Sequence, residues 1–114
     1  MTIYVAPGLH LLIDFFDAEN LQDQNLIEKA MRESAETCGA TVLDVRLHSF
    51  GEGAGITGVA ILSESHISIH TWPEIGYVAL DIFMCGSCNP HEAIPILKKY
   101  FSPKRIKTTE HKRG

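Results

Sequence analysis

The sequence has little with which to build disulfides, cross a membrane or grip nucleic acid. Its three cysteines, Cys38, Cys85 and Cys88, are too few and too scattered for a secreted disulfide framework. No apolar run reaches the roughly 18 residues that a membrane span needs. Cationic charge is also short: 10 Lys and Arg against 14 Asp and Glu give a net charge of -4. That leaves no basic footprint for a phosphate backbone. The most basic stretch, Lys98 to Lys112, is interrupted by Glu110 and reads as a solvated helix end and edge strand. Met1-Thr2-Ile3-Tyr4-Val5 lacks the basic start of a secretory signal, and Asp14 and Asp17 follow soon after. The expectation is a reduced, cytoplasmic location, with no nucleic acid and no membrane as partner.

What is present suits one packed domain. The chain has 114 residues, 45% of them hydrophobic and 21% charged, which argues against wholesale disorder. Leu9 to Phe16 reads as a strand, with Tyr4-Val5 as a lead-in; His10, Leu12 and Asp14 share one face, and Leu11, Ile13 and Phe15 the other. Glu19 to Cys38 reads as an amphipathic helix, from Leu26, Ile27, Ala30, Met31 and Ala35, with Gly39 ending it. Strands are expected at Thr41 to Phe50, Ile56 to Ser63, His66 to Trp72 and Tyr77 to Cys85. Asn89-Pro90 caps a second helix that runs to Phe101, in which Pro95 calls for a kink or a late start. Lys104 to His111 is a last strand anchored by Ile106.

That order predicts an α+β fold: a two-layer αβ sandwich, its largely antiparallel sheet carrying two helices on one face. The opposite sheet face has nothing from this chain to cover it. It carries His66, Ser68, His70, Asp81 and Cys85, so it should meet a substrate, a partner subunit, or both.

Several motifs can be weighed by spacing. Gly51-Glu52-Gly53-Ala54-Gly55 lacks the spacing of a phosphate loop, and no helix follows it. His66 and His70 lie on a strand, about 13 Å apart, too far to share a metal; no metal is expected. Cys85-Gly86-Ser87-Cys88 has no second half-site for zinc and falls in a loop. One chemically used cysteine, two bystanders or a redox pair all remain open for it.

Ser65 is the sharper case. Two strands meet at Glu64-Ser65 without a Gly, Pro or Asn to make an ordinary turn. A serine there is ordinarily a solvated hydroxyl. The functional alternative is self-cleavage: in a strained junction the Ser65 hydroxyl attacks the preceding carbonyl and turns the amide into an ester. Thr57 on the adjacent strand could donate to the oxyanion, and His70 has the pKa range of a base for the Ser65 α-proton. Elimination leaves a dehydroalanine, which hydrolyses to a pyruvoyl group. That carbonyl forms a Schiff base with an amine and acts as an electron sink.

Ser63-Glu64-Ser65-His66-Ile67-Ser68-Ile69-His70-Thr71-Trp72-Pro73-Glu74 resembles the cleavage segment of the short prokaryotic S-adenosylmethionine decarboxylases. The resemblance continues through Gly76-Tyr77, Asp81, Cys85-Gly86 and Glu110-His111-x-Arg113-Gly114, and with His10-Leu11 and Gly39-Ala40-Thr41 it spans nearly the whole chain. It implies a proenzyme that cuts itself at Glu64-Ser65 into a β chain, 1–64, and an α chain, 65–114. Ser65 would become the pyruvoyl cofactor. His70 would be the processing base, Cys85 the proton donor after CO₂ leaves, and Thr57, where the family often has serine, the processing oxyanion donor. Glu64 and Glu74 would hold the ribose and Phe50 would stack on adenine, with S-adenosylmethionine as substrate and decarboxylated S-adenosylmethionine, the aminopropyl donor for spermidine, as product. A homodimer of αβ units would build two shared sites. Cys88 is a departure from the family; oxidation could join it to Cys85. The alternatives are a pyruvoyl decarboxylase of the same fold acting on arginine or ornithine, and an unprocessed regulatory subunit.

Overall fold

Alternation of side chains decides which way each strand of this molecule faces. A computed structural model describes residues 8–114; the expected lead-in at Tyr4-Val5 lies outside the described residues. Six strands form one antiparallel sheet: β1 (Gly8–Phe16), β2 (Val42–Ser49), β3 (Ile56–Leu62), β4 (Ser65–Trp72), β5 (Tyr77–Cys85) and β6 (Arg105–Arg113). They lie side by side in the order β2-β3-β4-β5-β1-β6. Two helices, α1 (Gln24–Thr37) and α2 (Ala93–Phe101), cover one face.

The covered face is built from every second residue of the central strands. Leu11, Ile13 and Phe15 of β1, Ile67 and Ile69 of β4, and Val78, Leu80, Ile82 and Met84 of β5 are buried. They pack on Ile27, Ala30, Met31 and Ala35 of α1 and on Ala93, Leu97 and Phe101 of α2. The intervening residues, His10, His66, Ser68, His70, Asp81 and Cys85 among them, point away from the helices. The two-layer sandwich with one bare sheet face is as the alternation predicts.

Element boundaries moved where caps and prolines decide them. The first helix starts at Gln24 rather than near Glu19, because the Asp23 side chain accepts from the Leu26 amide and caps it there. Asp17 and Asn20 take positive φ values of 53 and 66, which helix cannot accommodate. Pro90–Glu92 forms a single 3-10 turn, and α2 starts late, at Ala93, so Pro95 sits in its first turn, where no amide proton is needed. Strand β4 begins at Ser65 itself, one residue earlier than expected.

Gly55 holds the loop between β2 and β3 down on the end of β4. A Cβ there would come within 1.9 Å of the Thr71 carbonyl oxygen, a backbone atom that cannot swing aside. Gly55→Ala is expected to lower stability by about 1–3 kcal/mol, the usual range for overpacking. A urea titration should show a lower midpoint with an unchanged slope. Glu52→Ala, on the exposed part of the same loop, should leave the midpoint where it is.

Candidate active site

β3 and β4 are joined by only two residues, Ser63 and Glu64, since Leu62 pairs with Ser65. Tight two-residue hairpins favour Gly, Asn or Asp where φ must be positive. Here Glu64 takes that role, at φ 63. For a non-glycine residue this conformation costs on the order of 1–2 kcal/mol. The strain therefore sits on the residue whose carbonyl precedes Ser65.

Cys85, at the end of β5, lies against that carbonyl. Its thiol donates to the Glu64 carbonyl oxygen at 2.9 Å. The same sulfur is 3.7 Å from the Ser65 hydroxyl oxygen and 3.9 Å from the Glu64 carboxylate. A hydroxyl nucleophile, a strained carbonyl and an S–H donor thus meet at one end of β4. Cys88 is not part of this group. It packs with the core residues, its sulfur 3.9 Å from where a Gly39 Cβ would be, on the helix side of the sheet. Cys38 is buried there too, and burial, reinforced by the charges of Glu92 and Cys88, pushes its thiol pKa up to about 11.

The other expected residues gather at the opposite end of β4. His70 and Thr57 face each other across the β3–β4 pair, with 3.1 Å between Nδ1 and Oγ1. Trp72 lies beside His70 and stacks on Tyr77, which stacks on Phe16, which carries the Arg105 guanidinium 3.9 Å above its ring. Thr71 anchors this end from below: its buried hydroxyl donates to the Leu21 carbonyl and accepts from the Ile56 amide. A recess of about 170 Å³ opens here, lined by Phe50, Thr57, His70, Trp72 and Glu74. Phe50 is exposed at its lip, edge-on to His48.

The seven expected residues therefore form two groups. Ser65, Glu64 and Cys85 are together; Thr57, His70, Glu74 and Phe50 are together. Ser65 and His70 are five residue steps apart along the strand, about 17 Å at the usual rise. Within one chain, Thr57 and His70 do not reach Glu64-Ser65.

Between the two groups lies a cluster that sequence reasoning did not assemble. Asp81 Oδ2 is 2.7 Å from Nε2 of both His10 and His66, and Oδ1 accepts from Ser68. Burial pushes the Asp81 carboxyl up, but the hydrogen bonds from Ser68, His10 and His66 outweigh it and hold the pKa below its ordinary value. The His10, His66 and Asp81 donor atoms lie within 4.8 Å of one another, close enough to suggest a metal. The Arg113 guanidinium argues otherwise. It donates to His10 Nδ1 at 3.0 Å, so the His10 proton sits on Nε2 and points at Asp81. A metal would need a lone pair there instead. The set is already filled by its own hydrogen bonds. Its signal in the sequence was the shared parity of His66, Ser68 and Asp81; the register that adds His10 was not visible.

Comparisons with known proteins converge. A family model described as S-adenosylmethionine decarboxylase matches residues 9–114. Proteins named S-adenosylmethionine decarboxylase proenzyme are 47% identical in Methanococcus maripaludis strain C7, over 94% of this chain and 89% of that one. One in Acetivibrio thermocellus is 47% identical, over 96% of this chain and 90% of its own length. The crystal structure of the adenosylmethionine decarboxylase from Aquifex aeolicus superposes with a TM-score of 0.85 at 31% identity, covering 96% of this chain and 92% of that one.

The aromatic row at the His70 end is tied down through Tyr77, whose hydroxyl donates to Asp14. That bond, with burial and the Asp14 charge, pushes the Tyr77 pKa up to about 12. A raised pKa favours the protonated form, so its contribution to stability is complete below about pH 10 and vanishes as pH rises through about 12. Ultraviolet titration of tyrosinate should show a tyrosine ionising near 12, and Tyr77→Phe should remove that step.

Proposed function

The chain belongs to the S-adenosylmethionine decarboxylase family, and from that premise we propose that it decarboxylates S-adenosylmethionine with a pyruvoyl group cut from its own backbone at Glu64-Ser65. The observation that carries this reading is the left-handed Glu64, whose carbonyl faces the Cys85 thiol and adjoins the Ser65 hydroxyl. Ser65 Oγ attacks the Glu64 carbonyl carbon; the peptide nitrogen takes a proton and leaves, and an ester replaces the amide. The Cys85 S–H steadies the oxyanion of this step. A base removes the α-proton of residue 65, and Glu64 departs as a free carboxylate. The dehydroalanine enamine takes a proton at its Cβ to become an imine, and water then replaces the nitrogen, releasing ammonia and leaving the pyruvoyl carbonyl at the head of the α chain, 65–114. Such a group supplies an electrophilic carbonyl for a substrate amine and an electron sink for decarboxylation. The product would be the aminopropyl donor for spermidine synthesis.

The base has to come from elsewhere, because His70 is about 17 Å along its own strand. A second copy resolves this. In a two-fold contact, residue i of one chain meets j of the other and j meets i. With the bare sheet faces together and the axis crossing near the middle of β4, each Ser65 end meets the partner's His70 end. The partner's Thr57 then joins the oxyanion donors, and the partner's His70 becomes the base. The substrate groups divide the same way: Glu64 comes from the cleaved chain, Glu74 and the adenine-stacking Phe50 from its partner. Exposed Leu12, Ile61 and Trp72 on the bare face give such a contact its apolar area. After decarboxylation Cys85, already at the head of the α chain, returns the proton. Among the described residues no helix is long and apolar enough to cross a membrane, and a cytoplasmic homodimer of αβ units is the assembly we infer.

Intact mass should show two chains, the α chain beginning with pyruvoyl, and Ser65→Ala should give a single uncut chain. The cut chains should stay together until denatured, because the strand order interleaves them: β1 of the β chain lies between β5 and β6 of the α chain. His70→Ala alone should slow cleavage by about 10²–10⁴-fold. When Ser65→Ala and His70→Ala chains are co-expressed, the His70→Ala chains should be cut, since a Ser65→Ala partner supplies the missing imidazole. If they stay uncut, the base acts within its own chain and the shared-site assembly is wrong. Carbon dioxide should be released from carboxyl-labelled S-adenosylmethionine in preference to arginine or ornithine; the reverse preference would overturn the substrate assignment.

A further inference from the structure

One group of titratable side chains takes no part in the chemistry above. Asp81 stands in the middle of β5, between β1 and β4, on the bare face. One oxygen accepts from His10 on β1 and from His66 on β4, both at 2.7 Å. The other accepts from Ser68, two residues further along β4. Arg113 of β6 closes the row by donating to His10. The rings of His10, His66 and Phe83 meet one another at 5.6 to 6.1 Å and wall in the carboxylate. Contacts thus run across β6, β1, β5 and β4 and end at His66, the residue that directly follows Ser65. Two of the three groups bonded to Asp81 belong to the first four residues of β4.

The reach of this network matters because chain ends fray unless something ties them down. Before cleavage the strained turn at Glu64 pulls on the start of β4. After it, residue 65 is a free chain end that must still face Cys85. Backbone pairing holds residue 66 between Ile61 and Phe83, yet a ladder alone leaves a terminal residue free to rotate out.

We propose that Asp81 is a positioning residue, acting through His66 to hold the Ser65 end of β4 against Cys85 both before and after the cut. It touches neither the scissile bond nor the substrate. This rests on the self-cleavage reading, and its test separates the two. Purified uncut precursor of wild type, Asp81→Asn and His66→Phe is followed by intact mass over time. Wild type that never cuts overturns both readings. With wild type cutting, Asp81→Asn should be slower by about ten- to a hundredfold, the scale that misplacement of about 1 Å produces. His66→Phe, which keeps the ring packing but not the hydrogen bond, should be slowed comparably. The double variant should be no slower than the worse single one, because both remove the same tether. A merely stabilising network predicts a lower urea midpoint with the cleavage rate of the folded precursor unchanged. Asp81→Asn cutting within twofold of wild type, or additive effects in the pair, would overturn the proposal. Should Asp81→Asn fail to fold, His66→Phe carries the test with His10→Phe as its partner. In the uncut Ser65→Ala background, the His66 Nε2 proton should be visible by NMR, protected from exchange, and lost on Asp81→Asn; an unprotected proton in the parent would count against the tether.

Discussion

β4 is hydrogen-bonded along both edges, to β3 from Thr57↔His70 through Leu62↔Ser65 and to β5 from His66↔Phe83 through Trp72↔Tyr77. A strand held on both sides cannot bend to bring its ends together. Its straightness sets the backbone of Ser65 about 17 Å from that of His70, and the proposed chemistry follows from that spacing. A nucleophile with its carbonyl and acid at one end, and a base with an aromatic recess at the other, are two halves of a site. Cys85, Thr57 and His70 lie on the sheet face that the helices leave bare, and the Ser65 hydroxyl meets that face at the strand end through Cys85. On the proposed assembly, function is a property of a pair of chains, and the same rigidity that parts the halves in one copy would align them between two.

The strand order also explains how a chain could survive being cut at its centre. From β2 to β6 the strands would belong to the β, β, α, α, β and α pieces of the proposed cut in turn. Three of the five strand pairings, β3–β4, β5–β1 and β1–β6, therefore cross between pieces. The core crosses as well: Leu11, Ile13 and Phe15 pack against Val78, Leu80 and Ile82. Breaking the Glu64-Ser65 bond would remove strain of order 1–2 kcal/mol at Glu64 and leave this shared core in place. Such a fold can place a reactive carbonyl at a chain end without giving up the order that a chain interior enjoys.

Much of this was legible from residue order. The alternation in Tyr77 to Cys85 assigned the buried and bare faces correctly, and the absence of a turn former at Glu64-Ser65 marked the strained junction. Boundaries set by a single side chain were less accessible: Asp23 caps α1 through one hydrogen bond, and a helix pattern reads straight past it. What the sequence could not yield was register across strands far apart in the chain. His10 and Asp81 are 71 residues apart, and only the β1–β5 pairing makes them neighbours. The chemistry of Ser65, Thr57 and His70 read as one constellation, although the rise per residue that sets His66 and His70 about 13 Å apart already holds Ser65 away from His70.

β5 carries both groups proposed to act on the Ser65 end, and its pleat explains why they can coexist. Asp81 and Cys85 are four residues apart on one face, with Phe83 between them packing against His66 and His10. The carboxylate faces three donors and needs its charge; the sulfur faces a carbonyl and needs a proton. A carboxylate at position 85 would place a second negative charge beside Glu64, whose own carboxylate comes within 3.9 Å of that site, and like charges at that range drive one group to take up a proton. A neutral thiol avoids the conflict. It donates to the Glu64 carbonyl oxygen, and on the proposed mechanism it would still hold a proton to give after the cut. The division between a charged clamp at Asp81 and an uncharged donor at Cys85 is thus what electrostatics demands of two groups set on one strand, on either side of Phe83.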